Sequence, residues 1–131
     1  MSMLNATRRA PSRRRNRAAG VFLAAFAALA ASACQLPTID IGFVDFSLVE
    51  AGSYDGYWDG DMVKARVAVE AEDGYVSSIR IVEHKTGLGE PAEAIVDRVV
   101  QRQSLQVDTV SGATYSSRVI LRAIENALTG R

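Results

Sequence analysis

Met62-Val63-Lys64-Ala65-Arg66-Val67-Ala68-Val69-Glu70 leads through Glu72-Asp73-Gly74 into Tyr75-Val76-Ser77-Ser78-Ile79-Arg80-Ile81-Val82-Glu83, and this run decides the fold. In its first part Val63, Ala65, Val67 and Val69 alternate with Lys64, Arg66 and Glu70. Alternation at period two with β-branched residues predicts a half-buried strand. Asp73-Gly74 is a turn signal, because both residue types tolerate positive φ. The second part places Ile79 and Ile81 on one face and Arg80 on the other. Two such strands around a tight turn predict a hairpin, so the sheet is at least partly antiparallel.

Downstream the period changes. Pro91 suits the first turn of a helix. Ala92, Ile95, Val96, Val99 and Val100 follow at helical spacing, with Glu93, Asp97 and Arg98 facing away. Ser104-Leu105-Gln106-Val107 reads as a short strand or an extended lead. Val119, Ile120, Ala123, Ile124, Ala127 and Leu128 then form the stripe of a closing helix, with Gly130 beyond its end. Upstream of the hairpin, Ser53-Tyr54-Asp55-Gly56-Tyr57-Trp58-Asp59-Gly60 holds two Asp-Gly pairs and three aromatics. It reads as a first strand whose aromatics pack in the core or lie beside a ligand. The sum is a single small α+β domain over residues 52–131, a mainly antiparallel sheet packed on one side by two helices.

The chemistry concentrates before the closing helix. Val107-Asp108-Thr109-Val110-Ser111-Gly112-Ala113-Thr114-Tyr115-Ser116-Ser117 is the densest cluster of hydroxyls in the chain. Hydroxyls there predict a helix N-terminus starting near Ser116 or Ser117, where side-chain oxygens accept unpaired backbone N–H groups. That end also suits an anion, above all a phosphate. Gly112 permits a tight turn or a close approach, and Ala113 keeps the surface low beside Thr114. Asp108 is unsuited to ligating a phosphate, since like charges repel, and reads as a loop-orienting or enzyme-docking group.

Asp-x-x-Ser-Gly-Ala-Thr, from Asp108 to Thr114, resembles the flavinylation motif of FMN-binding domain proteins. These are related to the C subunit of the sodium-translocating NADH:quinone oxidoreductase and the G subunit of the Rnf complex. Every fixed position of the motif is present. The resemblance implies that a flavin transferase joins FMN by a phosphoester to Thr114, with Asp108, Ser111, Gly112, Ala113, Ser116 and Ser117 around the attachment. Thr86, Gly87 and Gly89 resemble the family's Gly-x-Gly loop, which packs near the flavin, although Lys85-Thr86 stands where Thr-Pro is usual. Residues 53–60 resemble the family's aromatic-and-glycine opening in scrambled order. The likeness runs from Glu83 through Leu128. It implies an electron-transfer carrier rather than a stand-alone enzyme, with a flavin transferase and membrane redox proteins as partners. Two other classes fit the same residues: a non-covalent flavin sensor or reductase component, and a structural lipoprotein domain without cofactor.

The N-terminal third has a different character. Residues 1–20 hold six arginines and no acid, and Val21 to Ala33 is a 13-residue apolar run. A basic segment, an apolar segment and small residues at the end predict an export signal over residues 1–33. The apolar run falls short of the ~18 residues expected of a membrane span. Cys34, the only cysteine, follows Leu29-Ala30-Ala31-Ser32-Ala33, which resembles a lipoprotein signal. Ala31-Ser32-Ala33 also suits ordinary signal peptidase. Residues 34–51 are therefore expected to be a lipid-anchored or tethering segment, with the alternative left open that Ile39, Ile41, Phe43, Val44 and Phe46 add a strand or pack on the domain, and the protein to sit on the extracytoplasmic face of the membrane or to be secreted. The whole chain carries 15 basic and 15 acidic residues; without the leader it keeps nine basic against 15 acidic, a net charge of −6. A small acidic domain without a basic stripe is a poor nucleic-acid binder. His84, the single histidine, cannot make a metal site alone and has no cysteine partner, so it reads as a strand-end residue rather than a proton donor.

Overall fold

The structure is a computed structural model and describes residues 36–131; the expected export signal and Cys34 lie outside the described residues. Strands β1 (Gly52–Asp59), β2 (Lys64–Glu72) and β3 (Tyr75–Lys85) form one sheet in the order β1-β2-β3. Both pairings are antiparallel. Helices α1 (Ile95–Arg102) and α2 (Thr114–Thr129) follow, with short 3-10 turns at Phe46–Leu48 and Glu90–Ala94. The predicted α+β class and the two helices are present. The Ser104–Val107 segment makes no fourth strand: it drops Leu105 into the core and passes on unpaired.

The β2 pattern works as alternation requires. Val63, Ala65, Val67 and Val69 are buried against the helices while Arg66 and Glu70 are exposed. In β3 the alternation is broken twice, where the register shifts between Arg66 and Val67 and between Glu70 and Ala71. Each shift puts one extra residue on β3, as in a β-bulge. Strict period two from Ile79 and Ile81 would send Ser77 and Glu83 inward. The bulges instead place Val76 opposite Ala71 and His84 opposite Ala65. The His84 side chain is accordingly only 1% exposed. Gln103 then ties the end of α1 to the sheet: its amide accepts from the Val76 N–H at 2.8 Å and donates to the Val76 carbonyl at 2.8 Å.

Helix α2 is buried well beyond its predicted stripe. Leu121, Glu125 and Asn126 join Val119, Ile120, Ala123, Ile124 and Ala127 in the interior. Asn126 donates to the Tyr57 carbonyl of β1 at 2.9 Å, and the segment before the sheet lies along α2 over Glu125. Glu125 accepts from the Gly42 N–H at 2.9 Å and pairs with Arg122 at 2.8 Å. Arg118 donates to the Ile39 carbonyl at 2.9 Å, and Ile39 and Phe46 enter the core. A buried carboxylate left unpaired is expensive, and these bonds satisfy Glu125. The compact unit therefore runs from Leu36 to Arg131. No helix among the described residues is long and apolar enough to cross a membrane.

Candidate functional site

The hydroxyl-rich loop is folded by its own hydrogen bonds. Ala113 N–H donates to the Val110 carbonyl at 3.0 Å, closing a turn in which Gly112 takes φ +78°. That backbone region is rarely open to residues with a Cβ. The space around Gly112 is empty within 4 Å, so its conformation, not room, calls for glycine. The turn delivers the chain straight into α2, which begins at Thr114 and not at Ser116 or Ser117 as the hydroxyl pattern predicts.

Nor do the hydroxyls cap the helix. Its N-cap residue is Ala113, with no side-chain capping bond. The Ser117 hydroxyl instead faces back, accepting from the Val110 N–H at 3.0 Å, and is fully buried. Ser116 is buried too, its Oγ 3.2 Å from Thr86 Oγ1. Thr86 Oγ1 also accepts from the Gly89 N–H at 2.9 Å. The two glycines of the 86–89 loop thus differ. A Cβ on Gly89 would strike Ser116 Oγ at 1.9 Å, whereas Gly87 has nothing within 4 Å.

These contacts join two loops 30 residues apart in sequence. Between them lies a groove of about 510 Å³ whose lining includes Thr114, Ala113, Gly112, Thr86, Gly87 and Gly89. Its remaining walls are Leu36, Met62, Val63, Leu88, Tyr115 and Ser116. Thr114 is exposed at its edge. The first turn of any helix leaves backbone N–H groups without intrahelical partners, and here no side chain takes them. The groove therefore offers a free hydroxyl and unpaired donors beside mostly apolar walls.

Sequence reasoning gives no signal for Leu36, Met62 or Leu88 as lining residues, because isolated apolar residues in turns carry no period. Tyr115 occupies an unspecified position within the hydroxyl cluster; its hydroxyl donates to the Gly60 carbonyl at 2.5 Å and pins the β1–β2 turn to the helix. At that turn the Lys64 ammonium, with the Asp61 N–H, holds the Asp59 carboxyl below the usual carboxylate range.

Asp108 is not in the groove. Arg98 of α1 donates to the Asp108 and Thr109 carbonyls at 2.7 and 3.2 Å, fixing the approach to the loop. The exposed Asp108 carboxylate lines a separate cavity of about 460 Å³ with Arg98, Gln101 and Arg102. Ser111 is exposed on the loop but outside the groove lining. Of the three early aromatics, Tyr54 and Trp58 pack on the core and Tyr57 lies under Arg66, and none lines the groove. His84 Nδ1 is 3.0 Å from Glu93 Oε1 of the Glu90–Ala94 turn, and neither residue lines the groove. Among the described residues, no cluster of three or more His, Cys, Asp or Glu is placed to hold a metal.

Compared with known protein families, residues 56–129 match the FMN-binding domain. The chain belongs to the FMN-binding domain family. No curated protein and no solved structure matches it. Membership implies FMN as the cofactor and a flavin-binding redox protein as the class. The groove of this FMN-binding domain fits the group. Its volume lies within the ~300–1,000 Å³ of small-molecule and cofactor sites, and its walls are mostly apolar with a few convergent polar groups. The uncapped start of α2 suits the phosphate, and the apolar part of the lining suits the flat ring system.

Proposed function

We propose that the protein is an exported electron carrier whose FMN is held covalently, as a phosphoester on Thr114, at the outer face of the membrane. The observation that carries this reading is the exposed Thr114 hydroxyl at the uncapped start of α2, opening onto an apolar groove in a member of the FMN-binding domain family. FMN supplies one- or two-electron chemistry when bound; the chain supplies position and electrostatics. In attachment, Thr114 Oγ attacks the phosphorus of an activated flavin phosphoanhydride presented by a flavin transferase. The bond from Oγ to the flavin-bearing phosphorus forms, the anhydride P–O bond breaks, the other half of the anhydride leaves as a phosphate monoester, and the hydroxyl proton passes to a base of the transferase. The α2 N–H groups then meet the resulting phosphodiester anion. Permanent attachment suits an exported protein, which cannot replace a lost cofactor from the cytosolic pool. Export through residues 1–33 and lipid on Cys34 complete the reading, with membrane redox proteins as electron partners.

The direct test is the intact mass of the protein made with a flavin transferase. An added mass of one FMN less one water, surviving acid precipitation, supports covalent attachment. Yellow protein that loses its colour on precipitation leaves reversible binding, and colourless protein leaves a structural domain.

Two variants probe the same reading. Gly112→Val is expected to fold, since nothing crowds that position, but to be poorly flavinylated. A β-branched residue resists φ +78°, at roughly 1–2 kcal/mol, and deforms the turn that presents Thr114. Full loading of Gly112→Val would remove this role of the turn. Cys34→Ser is expected to shift the protein from the membrane fraction to the soluble one, with altered gel mobility. Unchanged membrane binding and mobility would exclude the lipid.

A further inference from the structure

Three large apolar side chains stand exposed around one opening. Leu36 is 51% exposed, Met62 73% and Leu88 96%, and all three line the groove of Thr114. They come from three separate places in the chain: the entry to the domain, the β1–β2 turn and the loop after β3. Scattered exposed apolar residues need no explanation, but several gathered on one rim mark a surface that meets something apolar.

The position of Leu36 indicates what that is. It is the residue at which the chain enters the compact unit, and Cys34 precedes it by two positions in the sequence. Two residues of extended chain reach at most about 7 Å. A lipid on Cys34 therefore keeps the Leu36 side of the domain close to the bilayer. The charges nearby do not oppose this. At the strand ends leading to the rim, Lys64 pairs with Asp59 and Lys85 with Glu83. Asp61 and Glu90 add negative charge, which disfavours anionic headgroups and leaves a zwitterionic surface as the match.

We infer that the rim formed by Leu36, Met62 and Leu88 docks on a zwitterionic phospholipid surface, so that the groove opens against the bilayer. This rests on the lipid anchor and groove proposed above. Side chains of this kind sink ~5–10 Å into the boundary between headgroups and acyl chains. Electrons then pass to or from carriers within the membrane plane, and water has little access to the groove.

The test uses the full chain, lipidated and made with the transferase, in phosphatidylcholine vesicles containing lipid spin-labelled near the headgroup. A bimane fluorophore is placed at Met62→Cys and, in a second sample, at Glu72→Cys beside the β2–β3 turn, the opposite end of the sheet. The Cys34 thiol is consumed by its lipid. Quenching several-fold stronger at position 62 than at 72 is expected. Adding Leu36→Ser and Leu88→Ser should abolish the difference while the protein still floats with the vesicles. Equal quenching at both positions, quenching untouched by the two serines, or a vesicle-free dimer that buries the label would each overturn the inference. Failure to float would overturn it through the anchor. The intact mass of the same sample reports flavin separately, so a missing cofactor and a rim turned away from the membrane give different results.

Discussion

Thr114→Ala, co-expressed with a flavin transferase, is expected to emerge with its fold intact and no covalent flavin. Thr114 is exposed and its side chain makes no hydrogen bond that the fold depends on, so the change should alter stability by no more than about 0.5 kcal/mol. Its effect falls on the one exposed hydroxyl that both lines the groove and sits at the helix start. Thr114→Ser keeps that oxygen and should keep part of the labelling. Competing hydroxyls are unequal. Ser117 is fully buried and bonded to Val110, and Ser116 is buried against Thr86. Ser111 is exposed, and Thr109 half-buried, so these are the rivals that peptide mapping must exclude. A flavin-bearing peptide from Thr114→Ala, or a wild-type adduct on any other hydroxyl of the loop, would sink the assignment.

Gly56→Val is expected to have the largest effect on stability. Gly56 lies in β1 opposite Val67, where the strand crosses α2. A Cβ there would sit 1.9 Å from the Ala123 carbonyl oxygen and 2.7 Å from Ala127 N and Cβ. The obstacle is helix backbone, which cannot rotate aside as a side chain can, so α2 must lift from the sheet. Overpacking of this kind costs about 3 kcal/mol or more. Small domains have total stabilities of only ~5–15 kcal/mol. A fall in Tm on the order of 10–20 °C follows for a domain of this size, measurable by circular dichroism. A Tm unchanged from wild type would mean that β1 and α2 do not approach this closely.

Both predictions turn on close contact between distant segments, and that is where the sequence alone falls silent. The β2 strand was legible because its burial follows from period two over Val63 to Val69 with no interruption. Most of the α2 stripe was legible for the same reason at period 3.6. In β3 the pattern misleads, since two bulges redirect Val76 and His84 inward, and a bulge leaves no mark in hydrophobic period. Glu125 lies outside the apolar stripe of α2, and its burial comes from the 36–45 segment, which gives it the Gly42 N–H.

The hydroxyl cluster shows the same division. Its composition alone pointed to a helix start and an anion, and the helix is there. Its bonds ran otherwise, because Ser116 and Ser117 turn to Thr86 and Val110 and leave the helix end uncapped. Periodicity and turn chemistry are local properties of the chain, so the sequence by itself determined the strands of the hairpin, the two helices and the α+β class. The groove needed Leu36, Met62, Thr86–Gly89 and Thr114 in one place. Only tertiary packing decided that, because contacts across 30 to 80 residues depend on how the elements meet and carry no repeat along the chain.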